Sequence, residues 1–117
     1  MTPADVVAAF ESYTAERASA GVMLARAVTG ISLTGRTVHV IVDPAVVGMD
    51  TVMFQSLNVF DNLAEFMGVP IAFNNDQGER LRSLVDAVAT ALPDGTDLGR
   101  LTTGEIYQIG TGQPWHP

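Results

Sequence analysis

The chain has 117 residues, of which 47% are hydrophobic and 16% are charged, a balance that favours one folded domain and excludes intrinsic disorder. Its 13 acidic and 6 basic residues give a net charge of −7, which opposes binding to nucleic acid and to anionic membranes. The chain has no cysteine, which excludes disulfides, thiol catalysis and Cys-ligated zinc.

The sequence also gives no sign of a targeting or membrane-spanning segment. Its first residues, Met-Thr-Pro-Ala-Asp, lack the basic region and the apolar stretch of a signal peptide. No stretch approaches the roughly 20 apolar residues that a spanning helix needs. We therefore expect a cytoplasmic protein that does not bind membranes.

The first helix is predicted from its start signals. Thr2 is a good N-cap, Pro3 suits the first helical position, and Asp5 lies three residues after the cap. Apolar residues then repeat at helical spacing as far as about Ala27. Because glycine weakens a helix interior, Gly21 favours a break within this segment.

A β-hairpin is predicted next, over residues 30–43, because apolar and polar residues alternate on both sides of a turn near Thr34 and Gly35. Cross-strand partners point to the same face of a sheet. The apolar face then consists of Ile31, Leu33, Val38, Val40 and Val42. The opposite face carries Ser32, Thr37, His39 and Ile41, as in a half-solvated antiparallel sheet.

The middle of the chain predicts a helix followed by a strand. An apolar stripe supports a second helix from Asp50 to Met67, or two shorter helices if Asn58 caps a new start. Residues 69–73 are short, apolar and bounded by turn residues, and are predicted as a third strand. Pro70 places that strand at an edge of the sheet, or marks the strand's beginning, because proline cannot donate to a ladder.

The last third of the chain predicts one more helix. A dense N-cap signal over 74–77 starts it, and its apolar stripe reaches Leu92. Residues 96–103 are predicted as a loop, and residues 105–109 are predicted as an optional final strand. The resulting element order is α-β-β-α-β-α, with that last strand as an optional addition.

This order predicts an α+β fold in which a small, mostly antiparallel sheet of three to four strands packs against about three helices. Residues 1–109 form a single domain. Residues 110–117 are rich in Gly and Pro and form a C-terminal tail that is either flexible or docked. The side chains expected to be buried together are Ile31, Val38, Val40, Leu57, Phe60, Phe73, Leu84 and Val88.

The polar residues do not have the spacings of metal, nucleotide or catalytic sites. Asn58, Asp61, Asn62 and Glu65 share one helical face, but an amphipathic helix needs such a polar face in any case. Residues 74–79 have the composition of a calcium loop, yet with Gly78 as its sixth position the first ligand position would be Phe73. Helix capping explains that segment better. We predict no catalytic residue, no metal ligand and no cofactor.

Three residues are candidates for binding a ligand: His39, Ile41 and Trp115. His39 and Ile41 lie on the outer face of the predicted sheet. Trp115 is the only tryptophan, and it stands between Pro114 and His116 in the tail. A large aromatic side chain at the end of a chain either docks onto its own domain, here near His39, or anchors another chain.

Three further residues are candidates for an interface: Met49, Phe54 and Phe66. They supply more apolar surface around the second predicted helix than one stripe requires. The sequence thus favours a non-catalytic protein-interaction or accessory domain, whose partner is itself, as a homodimer, or another protein. The alternative is a small-molecule-binding protein or enzyme with a cleft near His39, its ligand unknown.

Overall fold

A computed structural model describes residues 1–57 and 62–116 of the protein. The α-helices are α1 (Pro3–Ser19), α2 (Met23–Arg26), α3 (Thr51–Leu57), α4 (Ala64–Met67), α5 (Asp76–Leu84) and α6 (Thr103–Thr111). The strands are β1 (Val28–Thr34), β2 (Thr37–Val42), β3 (Ala87–Ala91) and β4 (Asp97–Thr102). Short 3₁₀ helices span Pro44–Val47 and Val69–Ala72. The predicted α+β class is confirmed.

The start of α1 follows the predicted capping signals. The Thr2 hydroxyl accepts a hydrogen bond from the Asp5 amide at 3.2 Å, and the Thr2 amide donates to the Asp5 carboxylate at 2.8 Å. These bonds favour the ionised carboxylate and hold the pKa of Asp5 below its usual value. The predicted break is also present, because α1 ends at Ser19 and Gly21 adopts a φ of 90° before α2 begins.

The strands form one mixed sheet in the order β1-β2-β3-β4, in which only β2 and β3 run parallel. The hairpin turn lies one residue later than predicted, because Thr34 pairs with Thr37. The cross-strand register therefore differs from the prediction by two residues, and Leu33 pairs with Val38. Because side chains alternate between faces with a period of two, a shift of two residues leaves every side chain on its predicted face. The expected apolar and polar faces of the hairpin are therefore both confirmed.

The predicted strand over 69–73 is wrong, because Val69–Ala72 is a 3₁₀ helix. Pro70 suits the first turn of a helix, where its missing amide hydrogen is not needed. The apolar character of this segment comes from packing, because the Ile71 side chain is fully buried. The segment contributes to the core without pairing with the sheet.

The third predicted helix begins as expected and ends earlier. The Asn75 side chain caps α5 by accepting from the Gly78 amide at 2.8 Å, but the helix stops at Leu84 and residues 87–91 form β3. This strand lies between β2 and β4 and pairs with both. Its tertiary pairing overrides the helical propensity of a segment that contains three alanines.

The two last predictions of local structure are also wrong. Residues 97–102, predicted as a loop, form β4, and residues 103–111, partly predicted as a strand, form α6. Thr102 and Glu105 form a capping box at the start of α6, with Thr102 accepting from the Glu105 amide at 3.2 Å. The Thr102 amide in turn donates to the Glu105 carboxylate at 3.0 Å, and this bond holds the pKa of Glu105 below its usual value. The helix follows because Ile106 turns into the core.

The core lies between one face of the sheet and the helices that pack on it, with α1 against β1 and α4 against β3 and β4. Val38, Val40 and Val88 are fully buried there, as predicted. The remaining expected core residues pack less deeply or lie outside the description. Ile31 and Leu84 are partly buried against the core, Phe73 is half-buried, and the Leu57 side chain and Phe60 fall outside the described part.

Within residues 1–57 and 62–116, no helix is long and apolar enough to cross a membrane.

Candidate functional site

A groove of about 680 Å³ lies between the C-terminal half of α5, the residues just before β2 and β3, and α6 with the segment that follows it. We call it the Trp115 groove. Its walls include two aromatic and two guanidinium side chains. These are Tyr107, Trp115, Arg82 and Arg36, with His116 and Asp86 beside them.

Arg82 forms the most constrained wall of the Trp115 groove. It is 7% exposed, and its Nη1 atom donates to the carbonyl oxygens of Ile71 at 2.8 Å and Phe73 at 2.9 Å. The guanidinium lies over the Tyr107 ring, 4.8 Å from the ring centroid. Within the described part of the chain Arg82 forms no ion pair, so backbone carbonyls and an aromatic face stabilise its charge.

The rim of the groove carries a second arginine. Arg36 lies in the β1–β2 turn, and its Nε atom lies 2.9 Å from the Asp86 carboxylate, while Nη2 donates to the Ser83 carbonyl at 2.8 Å. Both charged side chains are at least half exposed. Their pairing therefore adds little to stability, and its effect is to orient the Arg36 guanidinium at the rim.

Trp115 reaches this groove through a reversal of the chain after α6. Gly112 supplies the left-handed backbone at the helix end, with a φ of 73°. The Trp115 side chain is half-buried, and a Cβ atom placed on Gly104 would lie 3.9 Å from its ring. The ring thus packs beside the first turn of α6 and keeps part of its surface accessible.

The structure separates the three predicted ligand-binding residues into two places. His39 and Ile41 lie half-exposed on the outer face of the sheet, where His39 pairs with Ser32 on one side and Ala89 on the other. No side chain of this outer face belongs to the main hydrophobic cluster of the described residues, although Ala87, on the same face as His39, is buried. His39 and Ile41 do not line the Trp115 groove, so Trp115 does not cover them.

The three predicted interface residues are buried or partly buried in the fold. Phe54 is fully buried, so it belongs to the core and offers no surface to a partner. Met49 is half-buried against the core, and Phe66 packs against the Tyr13 ring at 5.7 Å between centroids. The reason is that α3 turns Phe54 inward and leaves Val52, 77% exposed, and Met53 outside.

Asn62, one of the polar residues considered from sequence, has structural partners. Asn62 donates to the Arg100 carbonyl at 3.1 Å and accepts from the Ala64 amide at 3.0 Å, so it joins the start of α4 to β4. Asn58 and Asp61 lie outside the described residues. In the described ranges, no group of three His, Cys, Asp or Glu side chains is placed to hold a metal ion.

Sequence reasoning missed Arg82 and Tyr107 as site residues. Arg82 follows the fully buried Leu81 on α5, and nothing in the spacing indicates that a charged residue turns inward there. The sequence pattern predicts Tyr107 in an optional strand, although Thr102 and Glu105 have the spacing of a capping box and indicate the helix that contains Tyr107. No family model, curated protein or solved structure matches the chain.

Proposed function

We propose that the chain is a non-catalytic protein-interaction domain and that the Trp115 groove is its contact surface. The observation that supports this is the composition of one groove, which is lined by Trp115, Tyr107 and Arg82. Tryptophan, tyrosine and arginine are the residue types most enriched among the hot spots of protein interfaces. Here all three are brought together from α5, α6 and the C-terminal segment.

The geometry also suits binding because Arg82 and Tyr107 are already fixed against each other. Arg82 is fixed by two backbone carbonyls and by the Tyr107 ring, so little side-chain freedom remains to be lost on association. Trp115 keeps accessible surface beside them. A partner side chain that enters the groove would meet a preorganised cation and two aromatic faces.

The partner that can be tested most directly is a second copy of the chain. Residues 113–116 follow the reversal at Gly112 and carry Trp115 into the groove. The same segment of a second copy carries the same tryptophan and has the same groove to enter. A homodimer by exchange of this segment would therefore replace each intramolecular contact with an equivalent intermolecular one.

Sedimentation velocity tests the homodimer. We expect the wild-type chain to show a concentration-dependent dimer in the micromolar range and the Trp115→Ala variant to remain a monomer. Met53→Ala is the matched control, because Met53 is an exposed apolar residue on α3 that does not line the groove. A wild-type chain that stays monomeric at every concentration would remove the homodimer from the proposal.

Site-specific crosslinking tests a partner other than the chain itself. A photo-crosslinking amino acid at Ser83, on the groove wall, should capture one protein reproducibly in the cell, and Trp115→Ala should abolish that product. The same crosslinker at Thr96, exposed beyond β3, is the control position. Equal labelling at Ser83 and Thr96, together with a monomeric wild-type chain, would reject the proposed function.

The small-molecule alternative remains a separate proposal. Neither His39 nor Ile41 lines the Trp115 groove, so this alternative rests only on their half-exposed position on the outer sheet face. Native mass spectrometry distinguishes the two proposals. A retained small molecule, lost in a His39→Ala variant, would favour ligand binding at that face.

A further inference from the structure

A second groove, of about 470 Å³, runs between α1 and the edge of the sheet. We call it the β1 groove. One wall is formed by α1 with Glu11, Ala15 and Ala18, and the other by residues 28–31 of β1. Arg26, the last residue of α2, also lines it. This groove shares no lining residue with the Trp115 groove.

The strand that lines this groove has a free edge. β1 stands at the end of the sheet and pairs only with β2 among the described strands. In an antiparallel pair, alternate residues direct their amide and carbonyl groups toward the neighbouring strand, and the others direct them away. About half of the backbone groups of β1 are therefore available to an added strand, which is the chemistry that recognises an extended peptide.

The ends of the β1 groove carry opposite charges. Arg26 is fixed at one end, because its Nε atom donates to the Ala18 carbonyl at 3.3 Å. Glu11 lies two helical turns earlier on α1, about 10 Å from Ala18 along the helix axis. Both side chains are exposed, and within residues 1–57 and 62–116 neither takes part in an ion pair.

We propose that the β1 groove binds an extended peptide of a partner protein as an added antiparallel strand. The partner peptide carries a basic residue that meets Glu11 and, about four residues later, an acidic residue that meets Arg26. The spacing is even because alternate side chains of a strand share one face, and both charges must face the groove. The order follows from the direction of β1, which begins beside Arg26 and leads toward Glu11. An antiparallel peptide therefore passes Glu11 first. This inference goes beyond the function proposed for the Trp115 groove and does not depend on it.

The shape of the groove favours a peptide over a second copy of the chain. Ala15, Ala18 and Gly30 have little or no side chain, so the space beside the strand is concave. A second copy would present the same concave surface and leave a void, whereas a single strand with small side chains fills it. The shift in pairing between Val28 and Gly30 interrupts the edge and limits the added strand to a short segment.

The test uses two synthetic peptides on the full chain. Both have alternating valine and threonine with lysine and glutamate about four residues apart on one face of the strand, lysine first in one peptide and glutamate first in the other. Amide chemical shifts in an NMR titration should change for β1 and for the Glu11–Ala18 face of α1 on addition of the lysine-first peptide. We expect this peptide to bind at least about threefold more tightly than the exchanged one.

A variant with the two charges exchanged tests the inference directly. The double variant Glu11→Arg with Arg26→Glu should fold normally, since both side chains are exposed, and should prefer the glutamate-first peptide. Equal affinity for the two peptides, an unchanged preference in the double variant, or shifts confined to other surfaces would overturn the proposal. The Trp115→Ala variant should bind the lysine-first peptide as the wild-type chain does, so failure here and failure of the Trp115 groove are distinguishable.

Discussion

The guanidinium of Arg82 lies 4.8 Å from the centroid of the Tyr107 ring, which places a buried cation of α5 against an aromatic side chain of α6. The same guanidinium donates to carbonyl oxygens of Ile71 and Phe73, in and just after the 3₁₀ helix. One side chain therefore joins α5 to the 3₁₀ helix that precedes it and to α6, which is distant in sequence. The wall of the Trp115 groove depends on it.

Arg82→Met is expected to destabilise the fold by about 2 kcal/mol or more. Methionine keeps much of the side-chain volume, but it leaves the buried Ile71 carbonyl and the partly buried Phe73 carbonyl without their donor. Urea denaturation measures the free energy of unfolding. Arg80→Met on the same helix is the matched control, because Arg80 is exposed and its replacement should change stability by less than about 0.5 kcal/mol. Equal losses for the two variants would contradict the role given to Arg82.

Leu81→Ala should cost about 2–5 kcal/mol, and Leu84→Ala should cost less than about 2 kcal/mol. Both leucines belong to the apolar stripe of α5, but Leu81 is fully buried whereas Leu84 is only partly buried at the helix end. Urea denaturation of the two variants gives the comparison. A larger loss for Leu84→Ala would show that the packing of α5 differs from that described.

Prediction from sequence succeeds where the signal is local. Start signals that depend on neighbouring residues are local, and Thr2 with Asp5 and Asn75 with Gly78 form the caps that the sequence predicts. The alternation of the hairpin is equally local. It identifies the buried face correctly even though the turn is displaced by one residue.

Prediction fails where one apolar pattern fits two structures. Leu84, Val85 and Val88 have helical spacing, and only pairing with β2 and β4 decides that Val88 lies in a strand. The sequence does not predict the candidate site for the same reason. Arg82 turns inward because it donates to a carbonyl group of the 3₁₀ helix, and the sequence pattern of that segment predicts a strand. Such tertiary partners leave no trace in local spacing.

Gly78→Ala should destabilise the protein by about 1–3 kcal/mol, although alanine is the better helix former. A Cβ atom on Gly78 would overlap the carbonyl group of Phe73, whose oxygen also accepts from Arg82. Gly104→Ala is the matched control in the first turn of α6, where the nearest atom would lie at an ordinary 3.9 Å. It should be neutral or gain up to about 1 kcal/mol. Thermal unfolding of both variants separates close contact from helix propensity.

The stabilisation that the buried Tyr13 hydroxyl provides should be lost at alkaline pH. Its hydroxyl donates to the Phe66 carbonyl at 2.9 Å, and burial raises its pKa from 10.0 to about 12. The folded state thus favours the protonated phenol, so this stabilisation is complete below the unfolded pKa and is lost as the pH rises toward the folded pKa. Urea denaturation from about pH 9 to about pH 12 should show a steeper loss in the wild-type chain than in Tyr13→Phe. Parallel curves would contradict the assignment.

Trp115 fluorescence should show a blue-shifted emission that is protected from a soluble quencher. Trp115 is the only tryptophan, so the signal reports the groove alone, and its half-buried ring lies beside α6. A fully exposed spectrum would contradict docking. Deletion of residues 113–117 then identifies the form of docking, and the cut falls after Gly112 because Gly110 and Thr111 belong to α6. A loss of stability with an unchanged oligomeric state in sedimentation means that the segment docks on its own chain. Conversion of a dimer to a monomer means that the segment is exchanged between two copies.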